Sequence, residues 1–287
     1  MDRDLAFAAR LVVFVVGRCP ERQRANGAVQ LSGWMPVVGD ESSIRVERVS
    51  EGVALVVLDR PEQLNALDAD LFAALPEVFG RLADDEDTRV VILTGAGSAF
   101  CAGADLAHHG ITATDVAGLT DWMHDVQRGP LSLYRLPQPT IAAVNGVAAG
   151  GGLGLALACD IRIAGANASF TTAFARIAVG PDFGTSKLLP RTVGVSTAME
   201  LLFTSRRVDA VEALQIGLVS RIEPDALAAS VELADTIAAM PPQALRAIKS
   251  TVRRALELDY ETVVQELEPG VQATVLARLF GGPEVTG

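Results

Sequence analysis

Three consecutive glycines, Gly150-Gly151-Gly152, follow one predicted strand and precede a predicted helix, where the backbone can approach a ligand closely. A dinucleotide-binding fingerprint needs a third glycine and an acidic residue about 20 residues further on. Leu155 holds the third position, and residues 169–174 contain no acid. A P-loop is excluded because no Gly-Lys-Ser/Thr sequence follows. Two uses remain open: an oxyanion site, where bare N–H groups at a helix N-terminus stabilise negative charge, and close packing of helix against sheet.

The elements that would position these glycines alternate between strand and helix. The predicted strands are Val53–Leu58, Val90–Thr94, Thr140–Val144 and Ile161–Ala164, and the predicted helices between them are Leu67–Ala83, Asp115–Arg135 and Leu153–Ala158. Strands that are apolar on both faces and alternate with helices indicate an α/β fold with a parallel sheet. Pro76 predicts a kink or a break in the first helix. From Ser196 onward helices predominate, and only Leu218–Ile222 predicts a strand. These later helices are Ser196–Phe203, Asp209–Ile216, Asp225–Ala239 and Gln243–Leu256.

Composition excludes several classes of protein. The 287 residues are 49% hydrophobic with a formal net charge of −11, which excludes a disordered chain and argues against nucleic acid as a partner. Three cysteines, Cys19, Cys101 and Cys159, form no disulfide framework and predict a reducing, cytoplasmic location. No apolar run reaches the roughly 18 residues of a membrane helix, so no membrane partner is expected. No cluster of side chains has metal-ligand spacing, so no metal is expected.

Several sequence blocks stand in a fixed order between residues 45 and 225. They are Leu58–Leu67, Leu93–Leu106, Pro139–Gly146, the glycine triplet, Cys159–Arg162, Arg191–Gly194, Ala198–Glu200 and Gly217–Ser220. This set resembles the crotonase (enoyl-CoA hydratase/isomerase) superfamily, and Arg176–Thr185 resembles the phenylacetate-pathway type of enoyl-CoA isomerase. The resemblance implies a ββα spiral core, a coenzyme A thioester as substrate, no permanently bound cofactor, and a homotrimer or dimer of trimers built through C-terminal helices.

The resemblance also implies where the substrate binds. It places the oxyanion hole on the backbone N–H groups of Ala104 and Gly151. The residues expected to bind the substrate and its CoA part are Asn65, Ala66, Leu67, Gly103, Asp105, Leu106, Gly150 and Phe174. Ala107 stands where many members carry a lysine or arginine, so one phosphate contact is expected to be missing.

The domain organisation follows from the same resemblance. We expect a poorly packed N-terminal extension over residues 1–40, a spiral core with the acyl-CoA site over 41–224, and a helical trimerisation region over 225–287. Met35 is an alternative translation start. Relatives close with a further helix that ends in basic residues, and we expect that helix to be absent after Phe280.

The residues expected to act as acid and base differ from those of a hydratase. Counted from the glycine triplet, the two glutamates of the hydratases fall on Gly154 and Phe174, neither of which can transfer a proton. Asp182 matches the aspartate that shuttles a proton in the isomerases. We expect Phe170, Phe174, Val179 and Phe183 to surround Asp182 and raise its pKa. The alternative is that Asp182 is an ordinary turn residue after Pro181.

Other functions remain open at this point. They are hydration of enoyl-CoA by a non-standard route, dehalogenation or hydrolysis with Asp182 as nucleophile, and a non-catalytic crotonase-like binding protein. The nucleophile alternative lacks the tryptophan of the dehalogenases, because Phe174 takes that position. His108 and His109 are expected in a solvated loop, and Cys101 and Cys159 are expected as small core residues.

Overall fold

The structure, a computed structural model, describes residues 43–280. The strands in chain order are β1 Ile44–Ser50, β2 Val53–Leu58, β3 Val90–Gly95, β4 Ala99–Cys101, β5 Thr140–Val144, β6 Val147–Ala149, β7 Ile161–Gly165, β8 Ser169–Thr171, β9 Val208–Asp209 and β10 Arg221–Glu223. The helices of the core are α1 Ala69–Asp84, α2 Val116–Val126, α3 Arg128–Arg135, α4 Gly151–Ala158, α5 Thr185–Val193, α6 Val195–Thr204 and α7 Ala210–Gln215. The C-terminal part continues with α8 Ala226–Ala238, α9 Pro242–Ala255, α10 Tyr260–Thr262, a π-helical segment Val263–Leu267 and α11 Glu268–Leu279.

The strands form two sheets. The larger has the order β1-β2-β3-β5-β7-β10, in which only the β1–β2 pair is antiparallel. The smaller has the order β4-β6-β8-β9, with parallel pairs β4–β6 and β6–β8. Successive pairs β3–β4, β5–β6 and β7–β8 each give one strand to either sheet before the chain turns into helix. The result is the expected ββα spiral, so the α/β fold class is confirmed.

Both faces of the larger sheet are covered, which explains its continuous apolar strands. Along β2, Val53, Leu55 and Val57 pack toward α8, while Val56 and Leu58 belong to the core shared with α1 and α4. Every residue of β2, β3 and β5 is buried. Because these strands are packed on both faces, the loops that follow them start from rigid positions.

Helix α1 begins because the side chain of Asp68 accepts a hydrogen bond from Leu71 N–H at 2.9 Å and so caps the helix N-terminus. The predicted break at Pro76 is wrong, because α1 continues through that residue. In contrast, the single helix expected over 115–135 is two helices, α2 and α3, which meet at Gln127.

The C-terminal helices are tied to the core through Asp160. Lys249 Nζ lies 2.7 Å from Asp160 Oδ2 and Arg253 Nη2 lies 2.6 Å from Asp160 Oδ1. Thr140 donates to the same carboxylate, and the Arg253 guanidinium lies 3.8 Å from the Tyr134 ring centroid. Helix α9 is therefore anchored at the end of α4 that lies away from the glycine triplet.

The four predicted core strands are confirmed to within one residue, whereas the strand expected at 218–222 begins only at Arg221. The short strands of the smaller sheet were not predicted. The expected extension over residues 1–40 lies outside the described residues, as does the chain after Phe280. Within the described range no helix is long and apolar enough to cross a membrane.

Candidate active site

Two backbone segments meet beside the glycine triplet. Leu67 and Ala104 form an isolated parallel bridge, in which Leu67 N–H donates to Gly103 O at 2.7 Å and Asp105 N–H donates to Leu67 O at 2.9 Å. These bonds use the Gly103 carbonyl and the Asp105 N–H, and the N–H of Ala104 itself has no acceptor among residues 43–280. Ala104 is exposed, so this N–H can reach a ligand.

Gly151 supplies the second amide. It is the first residue of α4, where helix geometry leaves an N–H without an intrahelical acceptor. Gly150 precedes it with φ of +49°, which a residue with a side chain rarely adopts. A Cβ on Gly103 would lie 2.8 Å from Ala149 O and 3.5 Å from Gly151 N. The segments of Ala104 and Gly151 are therefore adjacent.

Arg60 holds the loop around this position. Its guanidinium donates to Ala66 O at 2.5 Å and lies 3.1 Å from Asp68 Oδ2 and 3.2 Å from Asp105 Oδ2. The side chains of this trio are mostly buried, so the three contacts are shielded from solvent. No role was predicted for Arg60. One sequence feature could have indicated such a role. Arg60 lies in the Leu58–Leu67 block, shortly before Asp68, which caps α1.

Asn65 is a structural residue of the same loop. It is fully buried with φ of +57°, and its side chain accepts from Arg60 N–H and donates to Ala96 O and Ala99 O at 2.8–2.9 Å. The carboxamide is thus occupied within the protein. Any contact of Asn65 with a ligand must come through its position in the loop rather than through this side chain.

Asp105 closes the loop from the other side. Partial desolvation raises its pKa, but hydrogen bonds from Ala107 N–H, Arg60 and His108 outweigh that effect and hold the pKa below its usual value. The exposed His108 ring pairs with this carboxylate. Asp105 therefore supports the loop as an anion. Leu106, next to it, is 61% exposed and free to contact a ligand.

Asp182 lies in the turn before α5. Burial raises the pKa of its carboxyl to about 6. Oδ1 is buried without a hydrogen-bond partner, and the nearby Thr185 Oγ1 is in the same condition. Leaving a buried polar atom unpaired costs about 1–3 kcal/mol, so this oxygen lowers the stability of the fold unless a ligand or water pairs with it.

Phe183 connects Asp182 to the glycines. A Cβ on Gly151 would lie 3.5 Å from the Phe183 ring, and a Cβ on Gly154 would lie only 2.4 Å from Phe183 Cβ. A glutamate at residue 154, where hydratases carry one, therefore has no room in this backbone arrangement. Phe183 itself has φ of +50° and is 3% exposed.

The apolar surroundings expected for Asp182 are only partly present. Phe170 and Phe174 are buried, and the Phe174 ring lies 4.0 Å from the position of a Cβ on Gly150. Val179 is 51% exposed, so it does not form the buried apolar wall that was expected of it. Phe174 thus lines the approach to the glycines and cannot transfer a proton.

Two remaining expectations concern other side chains. Burial raises the pKa of the Cys101 and Cys159 thiols to about 12, as expected of core residues. His109 is not simply solvated: it is half-buried, packs edge-on against Trp122 and accepts from Ile111 N–H through Nδ1. It borders a cavity of about 400 Å³ between α1 and α2.

Comparison with known proteins identifies the family of the chain. The sequence model of the enoyl-CoA hydratase/isomerase family matches residues 48–278. The chain belongs to the enoyl-CoA hydratase/isomerase family. The finer likeness to phenylacetate-pathway isomerases is not resolved by these comparisons.

Individual relatives bear both names. A short-chain-enoyl-CoA hydratase of Clostridium acetobutylicum is 38% identical over 215 residues, covering 74% of this chain and 82% of the relative. A monofunctional enoyl CoA isomerase from M. smegmatis superposes with a TM-score of 0.67 and 41% identity, covering 78% of this chain and 98% of that one. A Thermobifida fusca protein solved in complex with CoA has a TM-score of 0.78 and 32% identity, covering 84% and 95%. Most of the matched proteins are named hydratases.

Proposed function

We propose that this protein is an enoyl-CoA isomerase that moves a carbon–carbon double bond through an enolate. The substrate is a CoA thioester whose carbonyl oxygen accepts hydrogen bonds from Ala104 N–H and Gly151 N–H. Asp182 removes a proton from C2 of a 3-enoyl thioester, and the electron pair moves into the carbonyl to give a dienolate. The same carboxyl returns the proton to C4, which leaves the double bond between C2 and C3.

The observation that carries this proposal is that Phe183 fills the space beside Gly154, where a hydratase would carry a glutamate side chain. Because a Cβ on Gly154 would overlap Phe183 Cβ at 2.4 Å, an acid cannot be supplied from residue 154. Asp182 is adjacent to Phe183, has a pKa of about 6 and keeps one buried oxygen unpaired. A base with a pKa near the working pH suits proton transfer in both directions.

The remaining residues have supporting roles in this proposal. The loop of Asn65, Ala66 and Leu67, held by Arg60, and the exposed Leu106 would contact the CoA part. Gly103 and Gly150 let the two amides approach each other, and Phe174 would border the acyl group.

Hydration is the second candidate, because most relatives are named for it. It would require a water activated by Asp182 alone. An aspartate nucleophile and a non-catalytic binding protein remain as outcomes of the test.

The test compares Asp182→Asn with the native enzyme on two substrates, a 3-enoyl-CoA for isomerisation and crotonyl-CoA for hydration. Removal of the only proposed proton carrier should lower isomerisation by about 10³-fold or more while CoA binding persists. Asp84→Asn, an exposed charge change at the end of α1, is the matched control and should keep full activity.

Three outcomes contradict the proposal. Undiminished isomerisation by Asp182→Asn removes Asp182 from the mechanism. Hydration as the dominant native activity selects the second candidate. Loss of all acyl-CoA turnover and of CoA binding in the native protein selects a binding protein.

We also propose that the protein assembles as a homotrimer or as a dimer of trimers. Helix α6 exposes Val195, Met199 and Phe203 at intervals of four residues, with exposed fractions of 68%, 42% and 71%. Such spacing forms one continuous stripe on a helix, and a stripe this apolar is typical of a subunit interface.

A further inference from the structure

The turn that carries Asp182 is held by a side chain from a different part of the fold. Gln127 lies at the junction of α2 and α3, 56 residues earlier in the chain, and its Oε1 accepts a hydrogen bond from Phe183 N–H at 3.1 Å. Gln127 is half-buried and makes no other side-chain hydrogen bond within residues 43–280. The contact therefore joins the α2–α3 junction directly to the residue after the proposed base.

This bond fixes the peptide group between Asp182 and Phe183. The peptide unit is planar, so its N–H and its C=O move together. The N–H is held by Gln127, while Asp182 O accepts from Thr185 N–H at 2.9 Å. With both ends of the plane held, this peptide group keeps its orientation, which restricts the backbone at Asp182 and limits the positions open to its carboxyl.

The turn needs this support because its conformation is uncommon. Phe183 has φ of +50° and Gly184 has φ of +72°, so two successive residues are in the left-handed region. A residue with a side chain adopts that region only when its surroundings hold it there. Phe183 is held on one side by its ring, 6.3 Å from the Phe72 ring, and on the other by the Gln127 bond.

We propose that Gln127 is a positioning residue, which keeps the Asp182 carboxyl buried in the turn before α5 and in reach of the substrate. This inference rests on the proposed function, because it assigns Gln127 a purpose only if Asp182 transfers protons. It also couples the junction of α2 and α3 to the proposed base.

The charges around this position do not compete with that role. The charged side chains nearest Gln127 along the chain are Asp125 and Arg128, and the elements packed near Asp182 carry Arg176 and Lys187. The pKa of Asp182 is raised by burial and lowered slightly by its own backbone N–H, with no contribution from these four groups. A change in how far Asp182 is buried therefore translates directly into its titration.

The experiment measures the pH dependence of isomerisation by two variants at residue 127. Gln127→Met has a similar length but no acceptor, so the turn should relax and the carboxyl should swing toward solvent. We expect kcat to fall about 10–100-fold with KM changed less than about threefold, because displacement of a catalytic group by about 1 Å has effects of this size. The acidic limb of the profile should move to lower pH.

Gln127→Glu keeps an acceptor oxygen and adds a negative charge. We expect it to retain most of the native kcat at high pH, with its acidic limb moved to higher pH, because a nearby like charge favours the protonated form of Asp182. Gln215→Met, an exposed change on α7, is the matched control and should leave the profile unchanged.

Specific results overturn the inference. A folded Gln127→Met with native kcat and a native pH profile contradicts it, as does an equal loss in Gln127→Glu and Gln127→Met with neither profile moved. Asp182→Asn is assayed alongside. If Asp182→Asn is inactive and Gln127→Met is normal, only the positioning role fails, whereas an active Asp182→Asn rejects the proposed function itself.

Discussion

At the scale of single residues, the site uses two unfavourable arrangements. Asp182 keeps a buried oxygen unpaired, and Phe183 adopts a positive φ beside it. Both lower the stability of the fold, and they lie at neighbouring residues of one turn, where burial raises the pKa of the Asp182 carboxyl to about 6. Residues at reactive positions of enzymes often lower the stability of the fold. For Asp182 this effect can be measured.

Replacement of Asp182 by Asn should stabilise the protein while it removes activity. Because the folded pKa lies above the unfolded value of 3.8, the native aspartate stabilises the fold less as pH rises from about 4 to about 6. A shift of about two pKa units corresponds to at most about 3 kcal/mol, and partial solvent exposure reduces this to about 1–2 kcal/mol.

The measurement is thermal or urea unfolding at pH 3.5 and pH 8. The gain of Asp182→Asn over the native protein should be near zero at pH 3.5 and largest at pH 8. An equal gain at both pH values would assign the effect to packing rather than to the buried charge.

At the scale of elements, the spiral works because strand, glycine and helix pass very close to one another. A Cβ on Gly152 would lie 2.2 Å from Cys101 O, and one on Gly154 would overlap Phe183. The small residues of α4 therefore set the distance between this helix, β4 and the turn of Asp182. A side chain added to α4 would push β4 or the turn of Asp182 away from the helix and so displace the proposed site residues.

Gly154→Ala should displace Phe183 and with it Asp182. We expect a loss of about 1–3 kcal/mol in the free energy of unfolding, as for other overpacked core positions, together with a fall in isomerisation. Gly80→Ala is the matched control. It lies inside α1 with open space around the added methyl group, so it should be neutral or stabilise by up to about 1 kcal/mol.

Urea unfolding of the two variants checks this pair. Equal stabilities for Gly154→Ala and Gly80→Ala would show that Phe183 can move aside at no cost, and the exclusion of a glutamate from residue 154 would then no longer hold.

At the scale of the whole molecule, apolar surface is left uncovered on the C-terminal half. Helix α9 exposes Ile248 and Val252 to 61% and 56%, and Leu256, which caps its C-terminus four residues later, is 60% exposed. The side of α9 that faces the core carries Lys249 and Arg253, which form ion pairs with Asp160. One side of the helix is therefore committed to its own subunit and the other is available to a neighbour.

A charge within these stripes should dissociate the assembly. We expect the native protein, at 30.1 kDa per chain, to elute with the mass of three chains or six, and Phe203→Asp or Val252→Asp to shift it to one chain because a buried unpaired charge opposes association. Light scattering coupled to size-exclusion chromatography gives the mass, with Ser196→Asp, exposed on α6, as the charge control. A monomeric native protein, or an unchanged mass for both variants, would contradict the proposed trimer.

The sequence by itself determined the parts that depend on neighbouring residues. Continuous apolar runs gave the long strands almost to the residue, since burial on both faces leaves a pattern within six residues. The same local reading located the glycine triplet, whereas positions 154 and 174 and the prediction of Asp182 as the acid came from the resemblance to the crotonase superfamily.

Only the tertiary structure decided how these parts act together. The strands of the smaller sheet are about three residues long, too short to leave a pattern, and form only when three turns of the spiral align. Arg60 reaches Asp105 across 45 residues and Gln127 reaches Phe183 across 56. Such contacts join residues that are far apart in the sequence and meet only in the folded chain, so no local pattern of residues predicts them.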